Sequence, residues 1–441
     1  MTDHRASSSP FAPVLVVGGG MVGVATAIWI QRDGYAVTLI DKGAPKDRAS
    51  FGNAGVLAAA SVLPAAMPGI SRKLPKMLLS ATEPIFMRWT YMPRLLPWAL
   101  KYISHANEAD TRRIALAMQA IVGNGLEDHL ALTDGTDAQH FIKPCDFAVL
   151  YKNRTAFEDD CLAWDIRKSL GFDWSEHADA ARADYDPVFN DALTFTAALS
   201  GHGQITDPGA YMAALRDHFV KSGGKIIAAE VTDIRREGGR ATGVMTKDGP
   251  IEGQSVAITA GAWSPLLTRK LGVKIPVEAE SGYHMEFWEP SFLPKMPTLI
   301  PSKKLLFSPM KGRLRVAGAV EFGGLRNAGQ EAGFRLIRAA MKEVLPGLRY
   351  ARETKWFGHR PAPVDSIPVI SDMPGIEGVY LGFGHQHVGL TGSARTGQLL
   401  AQMIGKRRIN IDMSPYDVSR FLDAKTSPRP PLPVVKQVRV C

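Results

Sequence analysis

Gly18-x-Gly20-x-x-Gly23 is the first constellation in this chain whose residue types and spacing could do chemistry. Glycine at the first position permits a tight turn, and at the second lets backbone approach a pyrophosphate. At the third it lets a helix pack on a strand. A helix opening there would present unpaired N–H groups and its positive dipole end to phosphate oxygens. Asp41, eighteen residues beyond Gly23, is placed to accept hydrogen bonds from ribose hydroxyls and to repel a 2′-phosphate. The competing reading is a glycine-rich turn with an unrelated aspartate.

Three elements must position these residues. Val14–Val17 is a short apolar run ending in glycines and reads as a buried strand. Residues 21–33 form a helix closed by Gly34, and residues 36–40 a second strand ending on Asp41. Strand, turn, helix and strand within about thirty residues open a βαβ unit. The same elements explain the uncharged stretch 11–30 better than a membrane span or signal core, because Gly18, Gly19, Gly20 and Gly23 interrupt it.

Further along, residues 56–104 mix Met, Leu, Trp and Pro with isolated basic residues, and the prolines predict short helices separated by kinks. Residues 105–190 read as helical, then mixed. Asp207 caps a helix with Pro208 at its first position and Gly223-Gly224 past its end. A strand over 225–229 and turns at Gly238-Gly239, Gly243 and Asp248-Gly249 predict a small antiparallel meander leading into an apolar run at 255–259. A strand at 314–319, a helix over 331–345, a strand at 378–382 and a helix over 393–404 complete the pattern. The fingerprint alone does not separate FAD from NAD. The meander, and the late strand followed by glycine-rich 382–392, favour FAD, whose length demands contacts from distant parts of one chain.

Composition narrows the classes. At 441 residues, 45% hydrophobic and 22% charged, the chain is globular and long enough for two or three domains. The net charge of +9 has no long Lys/Arg run behind it, which argues against nucleic acid. Basic residues recur instead among apolar ones, at Arg72, Lys73, Lys76, Arg88, Arg94 and Lys101. The cysteines Cys145, Cys161 and Cys441 make no C-x-x-C pair, and no metal site is expected from them or from His385 and His387.

Several blocks in order then resemble the D-amino acid oxidase superfamily of FAD-dependent oxidoreductases, nearest its bacterial D-amino acid dehydrogenases. They are Gly18–Gly23 with Asp41, Ser50-Phe51-Gly52-Asn53-Ala54-Gly55, Ile205-Thr206-Asp207-Pro208, Thr259-Ala260-Gly261-Ala262-Trp263-Ser264, Gly358-His359-Arg360-Pro361, and the run from Gly384 to Thr391. The resemblance covers residues 14 to about 404. It implies an α/β fold with an α+β second domain: a glutathione-reductase-type Rossmann FAD-binding domain (residues 12–70, 190–275 and 355–410) interleaved with an antiparallel-sheet substrate domain (71–189 and 276–354), and tails at 1–11 and 425–441.

The resemblance also assigns residues. Non-covalent FAD would be held by Gly18, Gly20, Met21, Val22, Gly23, Asp41, Lys42, Ser50, Asn53, Ala54, Gly55, Val231, Thr259, Ala260, Gly261, Gly358, Gly389, Leu390 and Thr391. Arg360 would grip a substrate carboxylate, because a planar guanidinium can take it bidentately. Tyr283, His284 and His387 would line the substrate pocket. The reaction implied is hydride transfer from a D-amino acid Cα to flavin N5, giving an imine and then a keto acid, or a cyclic imine from D-proline or cis-4-hydroxy-D-proline. The details Pro363-Val364-Asp365-Ser366-Ile367-Pro368 and Gly384-His385-x-His387 favour that proline branch. No acid/base residue is required. Electrons would pass to a quinone or another respiratory acceptor, in a cytoplasmic protein whose residues 56–103 fit peripheral contact with the inner face of an anionic membrane. The alternatives are a sarcosine- or glycine-type amine oxidase producing hydrogen peroxide, a non-catalytic flavin-binding subunit, and an NAD-dependent dehydrogenase.

Overall fold

The hydrophobic pattern of the first strand sets up two cores. In the computed structural model, which describes residues 13–70, 85–87 and 89–422, Val14–Val17 is a fully buried strand. Val14 and Val16 point to one side and Leu15 and Val17 to the other, as strand alternation requires. The first pair packs with the helices Met21–Arg32, Pro208–Lys221 and Ser393–Ile404. The second packs with the meander Val231–Glu237, Arg240–Thr246, Gly249–Glu252 and the helix Ser264–Lys270.

Val14–Val17 lies inside a six-stranded sheet of order Val369–Asp372, Val379–Phe383, Ser255–Ile258, Val14–Val17, Val37–Asp41, Lys225–Ala228. All neighbours are parallel except the outermost pair, Val369–Asp372 with Val379–Phe383. The helices on one face and the meander on the other make this a Rossmann-like layer. Asp207 caps Pro208–Lys221 as expected, accepting from the amides of Gly209 and Ala210 at 3.1 Å each.

A ten-stranded, largely antiparallel sheet carries the rest. Its main path runs Arg352–Pro363, Val277–Trp288, Arg313–Phe322, Leu305–Met310, Thr298–Ile300, Ile142–Tyr151, Phe195–Ile205, Val56–Leu57. The helix Glu331–Val344 covers one face through Ile337, Ala340, Met341 and Val344. The chain crosses between the two sheets repeatedly, so the layers are interleaved. Phe195–Ile205 and most of Arg352–Pro363 fall in stretches expected to bind nucleotide, yet pair in this second sheet.

Among the described residues of 56–104 the structure departs from the short kinked helices expected: Val56–Leu57 and Ile85–Met87 are strands, and Met92–Ser104 is one helix with Pro97 inside it. The carbonyl that Pro97 cannot reach is that of Pro93, in the first turn, so the break costs the helix little of its length. Arg72, Lys73, Lys76, Arg88 and the two tails lie outside the described residues.

A buried charge cluster joins the layers. Glu286 accepts from Arg313 Nε at 2.6 Å and from Arg315 Nη2 at 2.6 Å. Arg315, almost fully buried, turns Nη1 to the carbonyls of Phe51 (3.1 Å) and Asn53. Arg313 reaches Asp207 at 3.1 Å. Burial pushes the Glu286 carboxyl up, but Arg315 and Arg313 outweigh it and hold it down at about 2. Removing one member of such a cluster strands the others' charge. Arg315→Met is therefore expected to lose about 3–5 kcal/mol of stability, read as a lower urea midpoint; an unchanged midpoint would remove the cluster from the account of the fold.

Candidate cofactor and substrate site

The glycine fingerprint is required sterically. Gly18 has φ +109°, and a Cβ there would sit 2.6 Å from the Thr259 carbonyl oxygen. A Cβ on Gly23 would overlap the Gly18 carbonyl, because strand and helix meet there. Thr259 Oγ1 donates to the Val17 and Gly18 carbonyls at 3.0 and 3.2 Å, locking the two strand ends together. Ser50 Oγ accepts from the Met21 amide at 3.0 Å, which brings the 50–55 loop beside the helix N-terminus.

A continuous cavity of about 1290 Å³ runs from this turn to the ten-stranded sheet. Of the residues expected to hold the nucleotide, Gly18, Gly20, Met21, Val22, Asp41, Lys42, Ser50, Asn53, Ala54, Val231, Thr259, Ala260, Gly261, Gly389, Leu390 and Thr391 line it. Gly23, Gly55 and Gly358 do not. Gly23 seats the helix. Gly55, at φ +77°, lets the chain pass the Ile205 carbonyl. Gly358 lies against the Trp356 ring, and Gly52 seats the same ring.

The substrate candidates divide by strand alternation. Arg360 and His387 line the cavity. Tyr283 does not: it points to the opposite face, packs on Phe334 and Phe357 in the core under Glu331–Val344, and donates to Glu321. His284 is on the cavity-side face but lies beneath it, stacked on Trp356 with centroids 5.1 Å apart and bonded through Nδ1 to the Gly52 carbonyl at 2.9 Å. The resemblance implied that both residues line the substrate pocket; neither lines the cavity, and the layer between them and it was not legible in the sequence.

His387 is exposed, but into the cavity. The surrounding protein still desolvates it and lowers its pKa, with Glu280 opposing and Arg360 assisting, so these three groups share one electrostatic neighbourhood. His385 is buried and bonded to Thr396 Oγ1 at 2.8 Å, a structural role. Two residues with no sequence signal also stand out. His129 bridges Tyr211 Oη (2.7 Å) and the Leu390 carbonyl (2.8 Å), fixing the 389–391 loop from behind. Arg48 donates to Asp41 at 2.6 Å and to the Gly43 carbonyl at 2.9 Å, while its buried Nη1 has no partner among the described residues.

That orphan donor is a test of fit. A buried guanidinium N–H without an acceptor costs roughly 1–3 kcal/mol. Arg48 lines the cavity beside Asp41, at the end where an adenosine ribose and phosphate would lie, so an oxygen-rich dinucleotide answers it. The cavity also exceeds the roughly 300–1,000 Å³ of ordinary ligand pockets, leaving room for a substrate beyond the nucleotide. The residues present fit a dinucleotide with a long second half. Among the described residues no cluster of metal-binding side chains occurs.

Comparison with known proteins agrees with this geometry. Residues 13–403 match the family described as DAO, FAD dependent oxidoreductase. The chain belongs to that family. A D-amino-acid oxidase of Bradyrhizobium diazoefficiens is 35% identical over 417 residues, covering 93% of this chain and 99% of its own. A D-amino acid dehydrogenase of Rhizobium rhizogenes is 26% identical over 430 residues, covering 92% and 99%. Among solved structures, glycine oxidase from Geobacillus kaustophilus superposes with a TM-score of 0.72 at 20% identity, over 93% of this chain and 100% of its own. The fold and the FAD-dependent oxidoreductase class expected from the sequence therefore stand.

Three buried histidines make stability depend on pH. Burial lowers His129 and His385 to about 4. Burial, then Arg315, lowers His284 to about 3. An unfolded histidine takes up a proton below about pH 6.5, while these stay neutral, so the unfolded state binds more protons. Each should cost about 1.4 kcal/mol of stability per pH unit as pH falls from 6.5 towards 4. Urea midpoints across that range should fall steeply, and less steeply for His385→Asn; a flat profile would contradict the burial.

Proposed function

We propose that this chain binds FAD non-covalently in the long cavity and oxidises a D-amino acid whose carboxylate is held by Arg360. The observation that carries this reading is the setting of Arg360. It lines the cavity, its Nη1 is fixed by Glu280 at 2.9 Å, and its side chain makes no other hydrogen bond among the described residues. A guanidinium tethered by one nitrogen keeps donors for a carboxylate. When bound, FAD supplies the acceptor for a hydride from the substrate Cα.

The protein's part is placement. Asp41, Arg48 and the Gly18–Gly23 turn hold the adenosine and pyrophosphate. The 50–55 loop, Thr259–Gly261 and Gly389–Thr391 hold the flavin half. Amide groups at 389–391, fixed through His129, favour negative charge at the ring's pyrimidine end. Arg360 sets which Cα hydrogen faces the flavin. The imine product then meets water and gives a keto acid and ammonia; a cyclic imine from D-proline or cis-4-hydroxy-D-proline would persist or open. We favour that proline branch on the 363–368 and 384–387 blocks. A screen of D-amino acids with an artificial acceptor decides it, and strong preference for D-alanine would overturn it.

Arg360→Ala should remove a charge-assisted hydrogen bond of about 1.5–3 kcal/mol and lower kcat/KM roughly 10- to 100-fold. Unchanged steady-state kinetics would sink the assignment. The name of the 35%-identical relative favours a second reading, an oxidase; stoichiometric hydrogen peroxide in air would establish it over transfer to a respiratory acceptor.

Membrane contact belongs to the same proposal. Among the described residues no helix is long and apolar enough to cross a membrane. Leu96 (48% exposed), Leu100 (62%) and Leu266 (49%) border the cavity mouth, and Arg94 and Lys101 are exposed on the helix that carries Leu96 and Leu100. An amphipathic, basic rim of this kind suits an anionic lipid surface from which a quinone could reach the cavity. Co-sedimentation with anionic vesicles at low salt should fall when Leu96 and Leu100 are changed to Ser; a wild-type chain that stays in solution would count against the contact.

A further inference from the structure

Glu280 faces Arg360 across the register of Val277–Trp288 and Arg352–Pro363, and both line the cavity. The Glu280 side chain is only 9% exposed. Its Oε1 accepts from Arg360 Nη1 at 2.9 Å, and it accepts no other hydrogen bond among the described side chains. Gly282 lies two residues on, on the same face. A Cβ there would come within 2.6 Å of the Arg360 Cζ, so the guanidinium lies flat over Gly282 with Glu280 along one edge. Tyr102 and His387 both feel the Glu280 charge and both line the same space.

A buried carboxylate here is a poor choice for a site that needs only to hold a carboxylate. It cancels the charge of Arg360 and repels an incoming anion. The arrangement suits a ligand carrying both signs. In an α-amino acid the ammonium and the carboxylate share one carbon. A carboxylate on the free edge of Arg360 therefore leaves the ammonium within reach of a carboxylate on the adjoining edge.

We propose that Glu280 contacts the substrate and binds its α-amino group, forming with Arg360 a two-charge clamp that selects amino acids over carboxylates lacking the amine. This rests on the amino-acid reading above and adds the group that recognises nitrogen. For an acyclic substrate it also gives a reason for product to leave, because a keto acid has lost the cation that Glu280 holds and keeps the anion that it repels.

The test uses a matched pair of ligands on FAD-loaded protein: 2-aminoisobutyrate, which has no Cα hydrogen to lose, and isobutyrate. Dissociation constants are read from perturbation of the flavin absorbance. Wild type should prefer 2-aminoisobutyrate at least 10-fold. Glu280→Gln should abolish that preference while isobutyrate binds as well or better, and Glu280→Asp should restore part of it. Equal weakening of both ligands in Glu280→Gln would make Glu280 a positioning residue for Arg360 and overturn the proposal. An unchanged preference, or no preference in wild type, would overturn it too. Failure of the amino-acid reading has a separate signature: wild-type flavin left unbleached by every D-amino acid under anaerobic conditions.

Discussion

The Glu286 carboxylate between Arg313 and Arg315 is the interaction on which the rest of this structure depends. Arg315 would be unaffordable in the core without it, and without Arg315 the carbonyls of Phe51 and Asn53 would lose their tie to the large sheet. The loop held in this way is the one whose Ser50 meets the first amide of the helix Met21–Arg32. The same cluster reaches Asp207, the cap of the helix packed on the Rossmann-like layer. A single ion-pair network thus ties the ten-stranded sheet both to the 51–53 loop and to the helix Pro208–Lys221 of the other layer. Hydrophobic packing alone would not fix which groups meet there, since apolar contacts are not directional.

The cavity wall follows the same division of labour. Local sequence builds the end of the cavity at the glycine turn: that turn, a helix start and an aspartate lie within about thirty residues. The far end is assembled from strands distant in sequence. Arg360 and Glu280 are brought together by strand register, and the loop near Leu390 is braced by a histidine from another helix. The cofactor's chemistry needs little from side chains except placement, which explains why rigid supports outnumber reactive groups here.

This division also determines what was legible in the sequence. The fingerprint, Asp41, the capped helix at Asp207 and the meander were readable because each is set by neighbours along the chain. Glu280, Arg48, His129 and Arg315 were not, because each acts through a partner or loop that no local pattern announces. Tyr283 shows the limit from the other side. Its block was recognisable, but two successive strand residues face opposite ways, and only the second sheet layer says which way is inward. Pro97 misled for a related reason: a proline ends a helix only where the lost carbonyl partner matters.

The strand order has one more consequence, for how the chain is made. Val14–Val17 is made before its neighbour Ser255–Ile258 and the strands beyond that, Val379–Phe383 and Val369–Asp372, which follow hundreds of residues later. The layer cannot close until those strands have been made. Until then the nascent chain carries an apolar strand with one edge unpaired. Such an edge is a template for pairing with another chain, so the strand order itself exposes the unfinished layer to association until its late strands arrive.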